Sequence, residues 1–161
     1  MAFQASVDAT LASGVIGDIV LSGAVRSQPG ILATATASNN VIGRAVTHKS
    51  GEDGVFVVGG NGAFAGILTN SKQYALANGL TPSLTIPNSV PVEATYMATG
   101  IIVDLDNGGA IGNAVFYNNT TGVLHAAASG ASVPGYTEIA GSKVVRCNTS
   151  AAGIAIISLT A

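Results

Sequence analysis

What this chain lacks most is charge. Only 9% of its 161 residues are Asp, Glu, Lys or Arg, where an ordinary soluble domain carries ~25%. The six bases, Arg26, Arg44, Lys49, Lys72, Lys143 and Arg146, are scattered, and the net charge is −2. The basic stripe that a nucleic-acid binder needs is therefore missing. Trp is absent and aromatics make up 5%, which argues against a cleft built to stack sugars. The single Cys147 excludes an internal disulfide and a cysteine-based zinc site. Apolar runs fall far short of the ~20 residues that span a bilayer. The start, MAFQASVDATLASGVIGDIV, has no basic region and holds Asp8 and Asp18, so it does not read as a secretory signal. These absences predict a soluble chain made in a cytosol, with neither nucleic acid nor membrane as partner.

What is present fills the gap with small residues. Mean hydropathy is +0.50, so most surface positions must be Gly, Ala, Ser, Thr or Asn, and some apolar. A free monomer relies on charge to stay apart from its neighbours. A chain this bland is expected to be covered by other chains, as a component of an assembly. Its length suits one domain, residues 1–161, large enough to bury ~68–70% of its unfolded surface.

The pattern is β throughout, with short β-branched runs punctuated by Gly, Asn, Ser and Pro. Phe3, Ala5 and Val7 alternate with Gln4, Ser6 and Asp8, the period of a half-buried strand. Val92, Ala94 and Tyr96 do the same, as do Ile101, Val103 and Leu105. Further strands are predicted at Val15–Leu21, Val41–Thr47, Val55–Val58, Phe64–Leu68, Leu84–Ile86, Ala114–Tyr117, Val123–Ala126, Lys143–Cys147 and Ile154–Leu159. Only Ser71–Ala77 offers a short helix, with Ser71 as its cap. Asn118–Gly122 reads as a hairpin loop. Pro29-Gly30, Pro82, Pro87, Pro91 and Pro134-Gly135 are placed between strands, where a missing N–H harms no central ladder. One phrase occurs three times at irregular spacing: Ile16-Gly17-Asp18, Ile42-Gly43-Arg44 and Ile111-Gly112-Asn113, each followed by apolar residues. Each reads as a glycine making a tight start, a polar residue pointing out, then a strand. The fold class is all-β: a compact β-barrel or β-sandwich, with a jelly roll among the options and at most one short helix.

Reactive chemistry is absent or incomplete. Gly60-Asn-Gly62-Ala-Phe-Ala65 follows an apolar run and superficially matches a dinucleotide fingerprint. It lacks a following amphipathic helix and an acid ~20 positions on, so it reads as a loop between strands. Asp104-Leu-Asp106-Asn-Gly108-Gly109 starts like a calcium loop, but position five is Gly108 and position twelve is Val115, not the bidentate Glu. His48 and His125 have no ligand neighbour at metal spacing, and Cys147 within Val144-Val145-Arg146 reads as a small buried hydrophobe. No catalytic residue, cofactor site or metal site is assigned.

Taken in order, several stretches carry a resemblance: Phe3–Val7, Gly17–Val20, Ser27–Ile31, Asn40–Val46, Ala63–Asn70 with Tyr74–Leu76, and Ile111–Tyr117. With these the chain resembles the structural cement, or head decoration, proteins of tailed bacteriophages. The resemblance implies a non-enzymatic β-rich protein on the outer surface of the virion capsid, clamping major capsid proteins after synthesis in the host cytoplasm. It implies two partners: the major capsid protein and further copies of the chain, as homotrimers first and homodimers second. Strand edges at Phe3–Val7 and Ile154–Leu159 are candidates for pairing with a neighbour's sheet. Phe3, Gln4 and Val7 are the candidate contact residues, with Arg26 and Arg44 as forks for capsid carboxylates. Packing within the chain competes as an explanation for each. The rival class is a receptor- or carbohydrate-binding β module of a tail fibre or adhesin; a hydrolase would need a cleft with a shifted acid or activated Ser.

Overall fold

The computed structural model describes residues 14–70, 85–147 and 151–160. The strand predicted around Phe3–Val7 and the helix predicted at Ser71–Ala77 lie outside those residues. Ten strands make up the described fold: β1 (Arg26–Leu32), β2 (Ala45–His48), β3 (Val55–Val58), β4 (Phe64–Leu68), β5 (Pro91–Leu105), β6 (Ala114–Asn118), β7 (Leu124–Ala127), β8 (Tyr136–Glu138), β9 (Ser142–Arg146) and β10 (Gly153–Leu159). Among the described residues the one helical piece is a 3-10 turn at Ala37–Asn39. The all-β reading holds.

Five strands close a ring. The order runs β1-β3-β2-β4-β5, and β5 pairs back onto β1. Only the β1–β3 contact in the ring is parallel. All five strands contribute to one buried cluster that includes Leu32, Val46, Phe56, Val58, Leu68, Val92 and Ala94. Phe56 is fully buried, and a Cβ on Gly30 would sit 2.3 Å from its ring. Gly30 is thus the space that Phe56 fills. This corrects the placement of Pro29-Gly30 between strands: both lie within β1. The Ile31 N–H donates to Gly54 O, away from β5. Pro29, two residues earlier, therefore lacks its N–H on that same edge, where a strand can do without it.

The second layer is an open sheet. Here β5 pairs with β10, β10 with β9, and β7 with β6, which carries β8. A separate apolar cluster fills this layer, drawing on Ile101, Val103, Leu105, Val115, Tyr117, Leu124, Ile157 and Leu159. Strands β2 and β4 serve both clusters. Ala45 and Ile67 join the second, while their neighbours Val46 and Leu68 join the first, because successive side chains on a strand point to opposite faces.

Strand β5 is the shared element. Its 15 residues reach roughly 50 Å at ~3.3 Å each, where the pattern alone had suggested two shorter strands. Its inward residues are even-numbered at Val92 and Ala94 but odd-numbered at Ile101, Val103 and Leu105. The two sets serve different clusters on opposite faces of the strand, as neighbouring residues of β2 and β4 do, so the change of cluster sets the change of parity. Ile157 pairs with Ile101 and Leu159 with Ala98, a bulge in which two residues of β10 face three of β5. A second bulge lies where Arg26 pairs with Met97 and Ser27 with Thr95. Each reverses the in–out sense once, so the even-numbered Ala98 between them joins the second cluster and the two reversals cancel.

Three further expectations shift. Val15–Leu21 forms a turn and one isolated bridge, Ile19 to Ile101, rather than a strand. Val41–Thr47 begins as a turn, and its strand starts at Ala45. Strand β10 lies between β5 and β9, so from Ile156 onward both edges of the Ile154–Leu159 run are already paired. Strand β8, just after Pro134-Gly135, had no alternation long enough to announce it.

The repeated phrase acquires a common geometry. Gly17, Gly43 and Gly112 have φ of 89°, 87° and 90°. In each copy the polar residue's N–H bonds back three residues: Asp18 to Val15, Arg44 to Val41, Asn113 to Ala110. These are turns with glycine at the third position, where positive φ is required. After them come the Ile19 bridge, β2 and β6.

Candidate functional site

The surface most at odds with solvent is a single strap, residues 15–25. Among the described residues nine large apolar side chains are exposed, and Val15, Ile19, Val20, Leu21 and Val25 are five of them. Their crowding into eleven positions marks a contact surface rather than ordinary scatter. The strap lies along the edge of β5 opposite β10. Gly17 N donates to Ile102 O at 2.8 Å, Ile102 N to Asp18 O at 2.9 Å, and Val20 N to Gly100 O at 3.1 Å. Gly100 leaves room for Leu21, whose Cγ would lie 2.6 Å from a Cβ there. One flank of the strap is thus seated on the sheet and the other faces out. Beyond Val20, the N–H groups of Leu21 to Val25 reach no main-chain carbonyl among the described residues.

Arg26 ends this strap, exposed at the first position of β1 and opposite Met97. Arg44 is placed differently. It is half-buried, and its Nη1 donates to Asn39 O (3.3 Å), Asn39 Oδ1 (3.4 Å) and Thr121 O (3.2 Å). Burial pulls its guanidinium below the ordinary range, and the charge of Asp104 works in the opposite sense. Arg44 therefore ties the 3-10 turn to the β6–β7 loop. The ring keeps the two arginines' strands apart, with β3 between β1 and β2. Phe3, Gln4 and Val7 lie outside the described residues. The strap was legible as an apolar run, but its exposure depends on which strand it flanks.

The sequence's near-chemistries are internal fastenings. Asp106 accepts from His125 Nδ1 at 2.7 Å and from Tyr136 Oη at 2.5 Å, which joins the end of β5 to β7 and β8. The Asp106 bond, then partial burial, pushes the Tyr136 phenol above its usual range. Asn107 exchanges two bonds with the Ala126 backbone. No group of three His, Cys, Asp or Glu able to hold a metal occurs among the described residues. In the glycine-rich loop, Gly60 N donates to Asn119 O, and a Cβ on Gly62 would sit 2.2 Å from His48 O. Those glycines serve close packing. Cys147 donates to Gly109 O. An open groove of about 610 Å³ is lined by Gln28, Phe64, Tyr96, Ala140, Gly141 and Thr160, with no acid, base or activated nucleophile among them.

An all-β body whose polar groups fasten its own loops, and whose apolar strap faces outward, defines a structural binding protein. The family described as structural cement protein (E217 gp24/Pam3 gp6) matches residues 3–160. The chain belongs to this family, whose members are structural rather than enzymatic. Its fold is shared with a solved chain from "The capsid of Myoviridae Phage XM1", at TM-score 0.65 and 16% identity, covering 99% of this chain and 98% of that one. No curated protein matches. The chain is a cement protein of the phage virion capsid.

Proposed function

We propose that this protein binds the outside of the phage head and stabilises contacts between major capsid proteins, with the 15–25 strap and Arg26 as its shell-facing surface. The observation that carries this reading is the cluster of five exposed large apolar side chains on one strap. Low charge favours it, because little desolvation opposes burial of such a surface. Arg26 is exposed and in no ion pair among the described residues, so its planar fork is free for a capsid carboxylate. Arg44 contributes less, since its Nη1 is already engaged within the chain. Phe3, Gln4 and Val7 are proposed as further capsid or inter-subunit contacts on the strength of the sequence alone. The protein acts in several copies, as trimers at three-fold or dimers at two-fold positions, and repeated modest contacts raise avidity by ~10²–10⁴.

Cosedimentation with phage heads tests it. The protein should pellet with expanded heads and not with unexpanded ones. Val20→Asp and Arg26→Glu should each weaken pelleting while leaving the folded spectrum intact. Equal binding to both head forms, to neither, or undiminished binding by both variants would remove the reading.

A further inference from the structure

We propose that the Ile111–Gly112 turn is a homotypic contact that clasps the same turn of a second copy of this chain across a two-fold axis. The template for that contact exists inside the molecule. Of the three Ile-Gly turns, two grip each other: Ile42 Cγ2 lies where a side chain on Gly17 would be, 2.2 Å from the Cβ position, and Ile16 Cγ2 lies 2.3 Å from the Cβ position of Gly43. Each turn offers an isoleucine as knob and a bare glycine as hole, and the two fit reciprocally. Ile42 is thereby buried to 8% exposure.

The third turn has the same Ile-Gly pair, a glycine at the same φ near 90° and the same back-bond from its polar residue, but no mate among the described residues. Ile111 is 74% exposed, the most of any large apolar side chain described. Among the described residues no atom lies within 4 Å of a Cβ on Gly112. The turn is nevertheless held firmly, because Gly112 N donates to Val144 O and Val144 N to Asn113 O. Knob and hole are presented, not left to find a shape.

A second copy is the occupant that fits. An isologous contact needs a patch complementary to itself, and a turn bearing both knob and hole meets that need. Like charges would oppose self-approach, yet residues 107–114 carry none. The exposed Ala110, one residue before the turn, is small enough for close backbone approach. This contact is two-fold, so it selects the dimer over the trimer. It stands independently of which surface meets the shell. One turn covers little area, so association is weak in solution and gains its strength on a lattice.

Sedimentation equilibrium of the full chain up to about 1 mM tests it. The wild type should show a monomer–dimer equilibrium. Ile111→Asp should weaken it about tenfold or more, since a buried unpaired charge is costly. Ile31→Asp, at another exposed isoleucine on β1, should leave it unchanged, and both variants should keep the wild-type melting temperature. A wild type that stays monomeric, a trimeric mass, equal weakening by both variants, or an Ile111→Asp that associates normally would each overturn the proposal. Head binding is read in a separate assay, so failure here leaves the cement reading standing, and the reverse.

Discussion

The ring and the open layer solve the edge problem in opposite ways. The ring joins β1 to β5 and so closes on itself; among the described residues a bare stretch on β1 carries Pro29. The open layer ends at β8, three residues long, and at β9, which pairs only with β10 and bonds the Gly112–Asn113 turn; the edge of β5 opposite β10 is lined by the 15–25 strap. A closed ring can store stability but has little to offer a partner. An open layer must be covered somewhere, and a protein that works by contact places its exposed apolar residues there. The two regions share β5, whose opposite faces feed the two clusters.

The sharpest way to break this comparison is to empty the ring. Phe56→Ala should cost about 3–5 kcal/mol, the usual range for losing a large buried aromatic. Because β5 runs through both clusters, the open layer should melt with the ring. Denaturation followed by far-ultraviolet circular dichroism and by tyrosine fluorescence, with Tyr117 and Tyr136 both in the open layer, should give one coincident transition. Tyrosine signals that survive the ring's loss would show two independent halves.

A smaller effect tests the open layer's own fastening. Ser142 Oγ accepts from Val115 N at 2.9 Å and donates to Ile139 O at 2.7 Å, all buried. Ser142→Ala strands the Val115 N–H and should cost about 1–3 kcal/mol, read as a shift in urea midpoint. The same loss in the far-ultraviolet and tyrosine signals is again expected.

The smallest effect is at the rim, where Tyr136 bonds Asp106. The folded Tyr136 phenol titrates above its ordinary value of 10.0, so its neutral form is favoured in the folded state. The contribution is present in full below that ordinary value and is lost as pH rises through the folded one. Ultraviolet titration should show two tyrosines ionising late, Tyr117 because burial raises its phenol and Tyr136 through its bond to Asp106. Asp106→Asn should bring Tyr136 back toward 10.0 while heat stability at neutral pH changes little. An Asp106→Asn variant that keeps as many late-ionising tyrosines as the wild type would contradict the bond.

Much of the fold was legible because its signals are local. The runs at Val55–Val58 and Phe64–Leu68 became β3 and β4 with those limits. The hairpin loop before Gly122 is as expected, with β6 and β7 paired across it. The thrice-repeated Ile-Gly phrase makes the same turn each time, since positive φ is a demand on one residue. Strand β1 was hidden because Pro-Gly is ordinarily a turn signal; only the free edge and the Phe56 ring explain its place in a strand. Strand β5 was split because its buried face passes from one cluster to the other partway along, which breaks the alternation on which pattern reading rests. Of the contact surface, Arg26 and Arg44 looked equivalent, and only their surroundings separate them.

By itself, then, the sequence determined an all-β chain, its turns and a surface too poor in charge to remain bare, because those properties follow from backbone preference and composition. Tertiary structure alone decided which apolar residues stay outside. Ile16, Ile42 and Ile111 sit in near-identical phrases, and what differs is whether another turn lies within reach. Exposure is a relation between distant segments, and no residue carries it in its own neighbourhood along the chain.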